Sequence, residues 1–72
     1  MKKIITIITP CFNEQDNIDD VYREIKSVFD DLSEYGYEHL FIDNASTDNT
    51  VELLRKIATS DSNVKVIVNA KN

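Results

Sequence analysis

The sequence predicts an α/β chain, a βαβαβ unit with a three-stranded parallel sheet in the order 3-2-1. Three observations predict it. "IITIIT" is β-branched throughout. A stretch with helical apolar spacing follows it, and the strand–helix alternation then repeats. Strands separated by helices imply parallel pairing.

Strand one is residues 4–9, and Pro10 removes a backbone donor and ends it. Residues 17–32 carry Ile18, Val21, Tyr22, Ile25, Val28, Phe29 and Leu32. Their spacings mark one face of an α-helix. Asp16 or Asn17 can cap its start, and Asp19 and Asp20 suit the positive end of its dipole. Gly36 can supply a left-handed residue past its end. "HLFID", 39–43, is strand two. Helix two is 48–59, with Val51, Leu54, Ile57 and Ala58 on one face and Ser46 or Asp48 as cap. "VKVIV", 64–68, is strand three.

Two right-handed crossovers in one direction put both helices on the same face of the sheet. The other face is then bare. It carries either Ile5, Ile7, Phe41 and Ile67, or Ile4, Ile8, Leu40, Ile42 and the valines of strand three. Each such side chain stabilises by ~1.5–3 kcal/mol when buried. Four left wet forfeit an amount comparable to a domain's whole stability, ~5–15 kcal/mol. A missing C-terminal portion or self-association is expected to cover that face.

The 72 residues make one domain at most, with 42% hydrophobic and 29% charged residues, an ordinary globular composition. A formal net charge of −5 excludes a basic nucleic-acid footprint and a polybasic membrane anchor. The one cysteine, Cys11, allows no intrachain disulfide. The opening "MKKIITIITPCF" has too short an apolar run for a signal peptide, and no run reaches membrane-span length. The expected location is cytoplasmic, so the sequon Asn44-Ala45-Ser46 carries no glycosylation meaning.

In open parallel sheets, ligands bind outside the carboxyl ends of the strands. Two loops meet there, Pro10 to Glu14 and Asp43 to Asp48. A base could stack on Phe12, and Asp43 or Asn44 could accept from a ring or ribose donor, which outlines a nucleoside pocket. With a single glycine, the chain has neither GxGxxG nor a Walker loop. Counted from Asp43, an EF-hand fails as well, since Leu54 falls where glutamate is required. Blander readings stand beside these. Cys11 reads as a small loop residue and His39 as structural. Asp43 could cap its loop, Glu14 could cap helix one, and Tyr35 and Tyr37 pack the turn around Gly36. Phe12 could equally pack in the core.

"IITIITPCFNEQDNI", "FIDNASTDNTVELLRKIA" and "NVKVIVNAKN" together resemble the start of an inverting family 2 glycosyltransferase of the Rossmann-like GT-A fold. The resemblance is greatest to the polyprenyl-phosphate sugar transferases, such as dolichyl-phosphate mannose synthase and bactoprenol glucosyltransferases. Their signature is P-[CT]-[YF]-N-E after a strand and [IV]-D-[DN]-x-S-x-D-x-T after the next. The resemblance covers essentially residues 1–72. It implies that Pro10, Phe12 and Glu14 contact the donor's nucleoside, and that Asp43 and Asn44, after Ile42, match the acidic pair reading base and ribose. Asn44 departs from the commoner aspartate and can donate as well as accept. Ser46, Thr47 and Asp48 match the signature and read first as the cap of helix two.

The resemblance further implies a nucleotide-sugar donor, UDP- or GDP-linked, and a polyprenyl phosphate acceptor. In a full-length relative, Mg or Mn would hold the diphosphate and the enzyme would act at the cytoplasmic face of a membrane. The family's metal-binding D-x-D and catalytic base come after the stretch that ends at "NAKN". The chain is therefore expected to be the N-terminal, nucleotide-sugar-binding portion, with no metal ligand or catalytic residue of its own and no transferase activity alone. The rival reading is a non-catalytic α/β binding or assembly module. A receiver-like signalling domain is disfavoured, because strand one ends in Pro10 and strand three in Asn69.

Overall fold

The computed structural model describes residues 3–70. Met1, Lys2, Lys71 and Asn72 lie outside them, and with them the end of "NAKN". The element order is β1 (Lys3–Cys11), α1 (Ile18–Asp30), β2 (Tyr35–Asn44), α2 (Thr50–Ser60) and β3 (Val64–Asn69). Both strand pairs are parallel, and the sheet order is β1-β2-β3 with β2 central. The predicted βαβαβ unit is therefore the architecture found.

One core holds it together. Phe41 and Leu54 are fully buried, and Ile18, Val64 and Cys11 nearly so. Val21 and Tyr22 from α1 and Leu53, Ile57 and Ala58 from α2 pack on the same cluster. Both helices thus cover one face of the sheet. The other face is bare, with Ile4 71%, Ile8 59% and Ile67 48% exposed. The second predicted set describes it, except in strand three. Phe41 lies opposite Val66 and Ile42 opposite Ile67. That register turns Val64 and Val66 inward and sends Ile67 to the bare face.

Several element boundaries differ from expectation. β1 runs through Pro10 to Cys11. It is an edge strand, where alternate N–H groups point away from the neighbour, so a proline costs no ladder bond. β2 begins four residues early, at Tyr35, and Gly36 is a strand residue opposite Ile4 with no positive φ. The C-cap of α1 is instead Asp31, just past Asp30, whose N–H donates to Val28 O at 3.3 Å. Tyr37 leaves the turn and stacks on Phe29, with ring centroids 4.5 Å apart. Val28 belongs to the apolar spacing of α1 yet is 53% exposed.

His39 is structural, as expected. It is buried, its Nε2 hydrogen-bonds with Thr9 Oγ1 at 2.9 Å, and its ring lies 4.0 Å from that of Phe41. Nδ1 has no partner among the described residues. Burial, the larger cause, lowers the imidazole pKa below 6.5, and the Asp61 charge acts in the opposite direction. The unfolded chain therefore takes up a proton that the folded chain refuses. Stability is full above the unfolded value and is lost as pH falls through about 6.5 towards the folded value. Urea midpoints are expected to drop across this window and the drop to vanish in His39→Gln. An unchanged pH slope in that variant would contradict the assignment.

Candidate functional site

The carboxyl rim of the sheet carries the two loops, one between β1 and α1 and the other between β2 and α2. Parallel pairing of β1 with β2 makes them neighbours, and hydrogen bonds lock them together. Asn13 is the latch. Its Oδ1 accepts from Thr47 N at 2.8 Å and Asp48 N at 3.4 Å, and its Nδ2 donates to Thr47 Oγ1 at 3.3 Å. Its own N–H donates to Ser46 Oγ at 2.9 Å. Next to it, Glu14 N donates to Thr50 Oγ1 at 2.9 Å and Asn49 N donates to Gln15 Oε1 at 3.0 Å.

Backbone conformation explains the residue types. Asn13 has φ 49° and Ala45 φ 60°, both left-handed. Asparagine tolerates this region, whereas alanine is strained there by ~1–2 kcal/mol. Each loop thus makes one sharp reversal, and the two reversals face one another.

Asp43 is fully buried. Its position is two residues after Phe41, so it shares the helix-covered face. Oδ2 accepts from Ser46 N at 3.0 Å, and Oδ1 accepts from the Ser46 hydroxyl. The carboxylate therefore ties down its own loop. Ser46 caps no helix. Asp48 does what a cap does: its Oδ1 accepts from Thr50 N at 2.9 Å and from the Thr50 hydroxyl. The Thr50 hydroxyl is the first cause that holds the Asp48 carboxyl below its ordinary range. Asn49 stands at the N-cap position without a side-chain bond, and so does Asn17 for α1. Asn17 Nδ2 instead donates to Glu14 Oε2 at 3.2 Å, while Glu14 O accepts from Asn17 N and Ile18 N.

Asn44 faces the opposite way from Asp43. It is half-buried on the bare side of the sheet, and its Oδ1 accepts from Asn69 Nδ2 at 3.0 Å. Pro10 and Ile42 are register partners on that same side. Phe12 is 47% exposed just beyond β1, and Glu14 is half-buried. The six residues singled out from the sequence thus share one rim, but the adjacent pair Asp43 and Asn44 is split between the two faces.

Sequence reasoning left out Asn13, Thr50 and Asn69. Asn13 carries a signal that could have found it, an asparagine in a short loop where a left-handed residue is favoured.

Cys11 is buried, and burial, then the Asp43 and Glu14 carboxylates, push its thiol up to about 11. It stays protonated at neutral pH, which suits packing and not nucleophilic attack. Among the described residues no three His, Cys, Asp or Glu side chains gather as a metal-ligand set. The residues present do not fit the divalent metal implied for a full-length relative. What the rim offers is an aromatic face and oriented amide groups, suited to a planar polar ligand.

The family model "Glycosyl transferase family 2" matches residues 6–72. The chain is 36% identical over 67 residues to "Uncharacterized glycosyltransferase YkcC" of Bacillus subtilis (strain 168), covering 93% of the chain and 20% of that protein. It is 32% identical over 69 residues to "Undecaprenyl-phosphate 4-deoxy-4-formamido-L-arabinose transferase" of Pseudomonas fluorescens (strain SBW25), covering 94% and 20%. It is 33% identical over 57 residues to "Bactoprenol glucosyl transferase" of Shigella phage SfX, covering 79% and 18%. The chain spans about a fifth of the length of these curated relatives. On the family match over residues 6–72, the chain belongs to glycosyl transferase family 2.

Proposed function

We propose that residues 1–72 form the N-terminal, nucleotide-sugar-binding portion of a glycosyltransferase domain, and that the rim between Phe12 and Asn44 takes the donor's nucleoside. One observation carries this reading: two loops are latched together at the carboxyl rim of a parallel sheet, beside an exposed aromatic ring. Such rims are where open α/β sheets bind ligands. In the proposal the base stacks on Phe12, Pro10 and Ile42 form an apolar floor, and Glu14 and Asn44 supply polar contacts. Asp43 acts from beneath by fixing the second loop.

The donor proposed is UDP- or GDP-linked. The acceptor proposed for a full-length protein is a polyprenyl phosphate, because two of the relatives above carry undecaprenyl phosphate or bactoprenol in their names. Such an acceptor implies work at the cytoplasmic face of a membrane. Among the described residues no helix is long and apolar enough to cross one. The exposed isoleucines Ile4, Ile8 and Ile67 support cover for the bare face, by a further C-terminal portion or by self-association.

The test is a titration of the chain with UDP and GDP followed by NMR. Shifts are expected at Phe12, Glu14 and Asn44 at roughly millimolar nucleotide, where binding free energy is near −4 kcal/mol. Unmoved resonances at that concentration would refute a preformed nucleoside pocket.

A further inference from the structure

The bare face of the sheet is mostly apolar, but not wholly so. Ile4, Ile8 and Pro10 of β1 are exposed on it, beside the half-buried Leu40 and Ile42 of β2 and the exposed Ile67 of β3. Two opposite charges stand among them. Glu38 lies opposite Thr6, and Lys65 lies opposite Leu40. Strand alternation puts both on the bare side. Lys65 is thus one strand across from Glu38 and two residues further along the sheet. Neither is in an ion pair among the described residues, where the two pairs both lie on α1.

An acid and a base offset in this way make a surface complementary to a copy of itself. In a two-fold dimer the same patch meets itself, and every contact occurs twice. Facing sheets pack about 10 Å apart with their strands within about 30° of each other. Let the two-fold axis run across the strands, between the sheets, at the level of His39. Glu38 of each copy then falls level with Lys65 of the other, one strand spacing to the side, about 4.8 Å. The flexible four-carbon stem of lysine suits that reach. The same rotation sets Ile4 over Pro10 of the second copy, and Ile42 over Gly36, which has no side chain to obstruct it. Asn44 and Asn69 fall outside the overlap, so the rim stays open.

We infer that the bare face is a self-docking surface, covered by a second copy of the chain in a two-fold register set by Glu38 of each copy meeting Lys65 of the other. The inference rests on the reading above that this face is covered, and narrows it to one occupant. Charge decides the choice. A purely apolar partner would bury both groups without counter-charges, which costs free energy unless they are paired. A second copy supplies both counter-charges at the required offset by symmetry alone.

Sedimentation equilibrium tests this on the wild-type chain, Glu38→Lys, Lys65→Glu and Ile8→Lys, with circular dichroism to check that each is folded. About 0.15 M salt screens the repulsion between two chains of net charge −5. The wild type should dimerise at roughly micromolar concentration. Each charge variant places like charges together twice, so its dimer should weaken on the order of tenfold. An equimolar mixture of Glu38→Lys and Lys65→Glu should restore the wild-type affinity as a heterodimer, because both pairs re-form with their signs exchanged. Ile8→Lys should abolish association, since it adds a charge to the apolar part of the overlap. A monomeric wild type overturns the inference and leaves cover by a further C-terminal portion standing. A dimer untouched by Ile8→Lys, or a mixture no tighter than its components, also overturns it. None of these outcomes bears on the nucleoside reading, which the UDP and GDP titration tests separately.

Discussion

Asp43→Ala is expected to destabilise the chain by about 2–4 kcal/mol, because hydrogen bonds to a charged group contribute ~1.5–3 kcal/mol each and two are lost. The carboxylate accepts from the Ser46 amide at 3.0 Å and from the Ser46 hydroxyl, both with no exposure of Asp43 to solvent. One effect opposes the loss. Removing a buried charge also removes its desolvation penalty, and a buried ionic group is weak evidence of net stability for that reason. Removing one side of the arrangement decides the balance, since Ser46 is left with donors and no acceptor. Asp43→Asn keeps the shape and one acceptor oxygen, so about half the loss is expected. Urea denaturation of both variants measures this. It also separates the two roles open to Asp43. If the carboxylate holds the loop, Asp43→Asn loses stability. If Asp43→Asn keeps stability and loses only nucleotide affinity, the carboxylate reads a ligand and does not tie the loop.

The inward turn of Asp43 was legible in principle. Phe41 is the large apolar residue of β2, and strand alternation carries its face to Asp43 and not to Asn44. The apolar spacing of α1 and the β-branched runs likewise made the element order readable. Other features had no local signature. Tyr35 to Glu38 reads as a turn because Gly36 sits between two tyrosines, and only pairing with β1 makes it strand. Pro10 reads as a stop signal because its tolerance depends on β1 being an edge. The face taken by Ile67 depends on register across a helical crossover, which no residue within β3 encodes. Asn13 and Asn69 act on residues 34 and 25 positions away, so their roles appear only when the loops and strands are brought together.

The second large effect is expected at Asn13. Its side chain does two jobs that substitution can separate. One is the set of hydrogen bonds to Thr47 and Asp48, with the 2.8 Å bond from Thr47 N the shortest. The other is tolerance of φ 49°. Asn13→Gly removes the first job and keeps the second, since glycine enters the left-handed region freely. The expected cost is about 1–2 kcal/mol, from hydrogen bonds that are partly replaced by water. Asn13→Ala removes both and adds about 1–2 kcal/mol of backbone strain. Alanine should therefore be clearly worse than glycine, reversing the usual order of these two residues in regular structure. Denaturation midpoints give the comparison, and hydrogen exchange at the Thr47 amide gives a local readout. Exchange there should accelerate in both variants, while core amides such as that of Phe41 follow only the global stability. Nucleotide affinity should fall in step with the Thr47 amide, because the second loop is then no longer held against the first. Equal costs for glycine and alanine would show that the left-handed turn is not maintained in solution. A Thr47 amide that stays protected would show that Ser46 and Thr50 hold the loops without the Asn13 side chain.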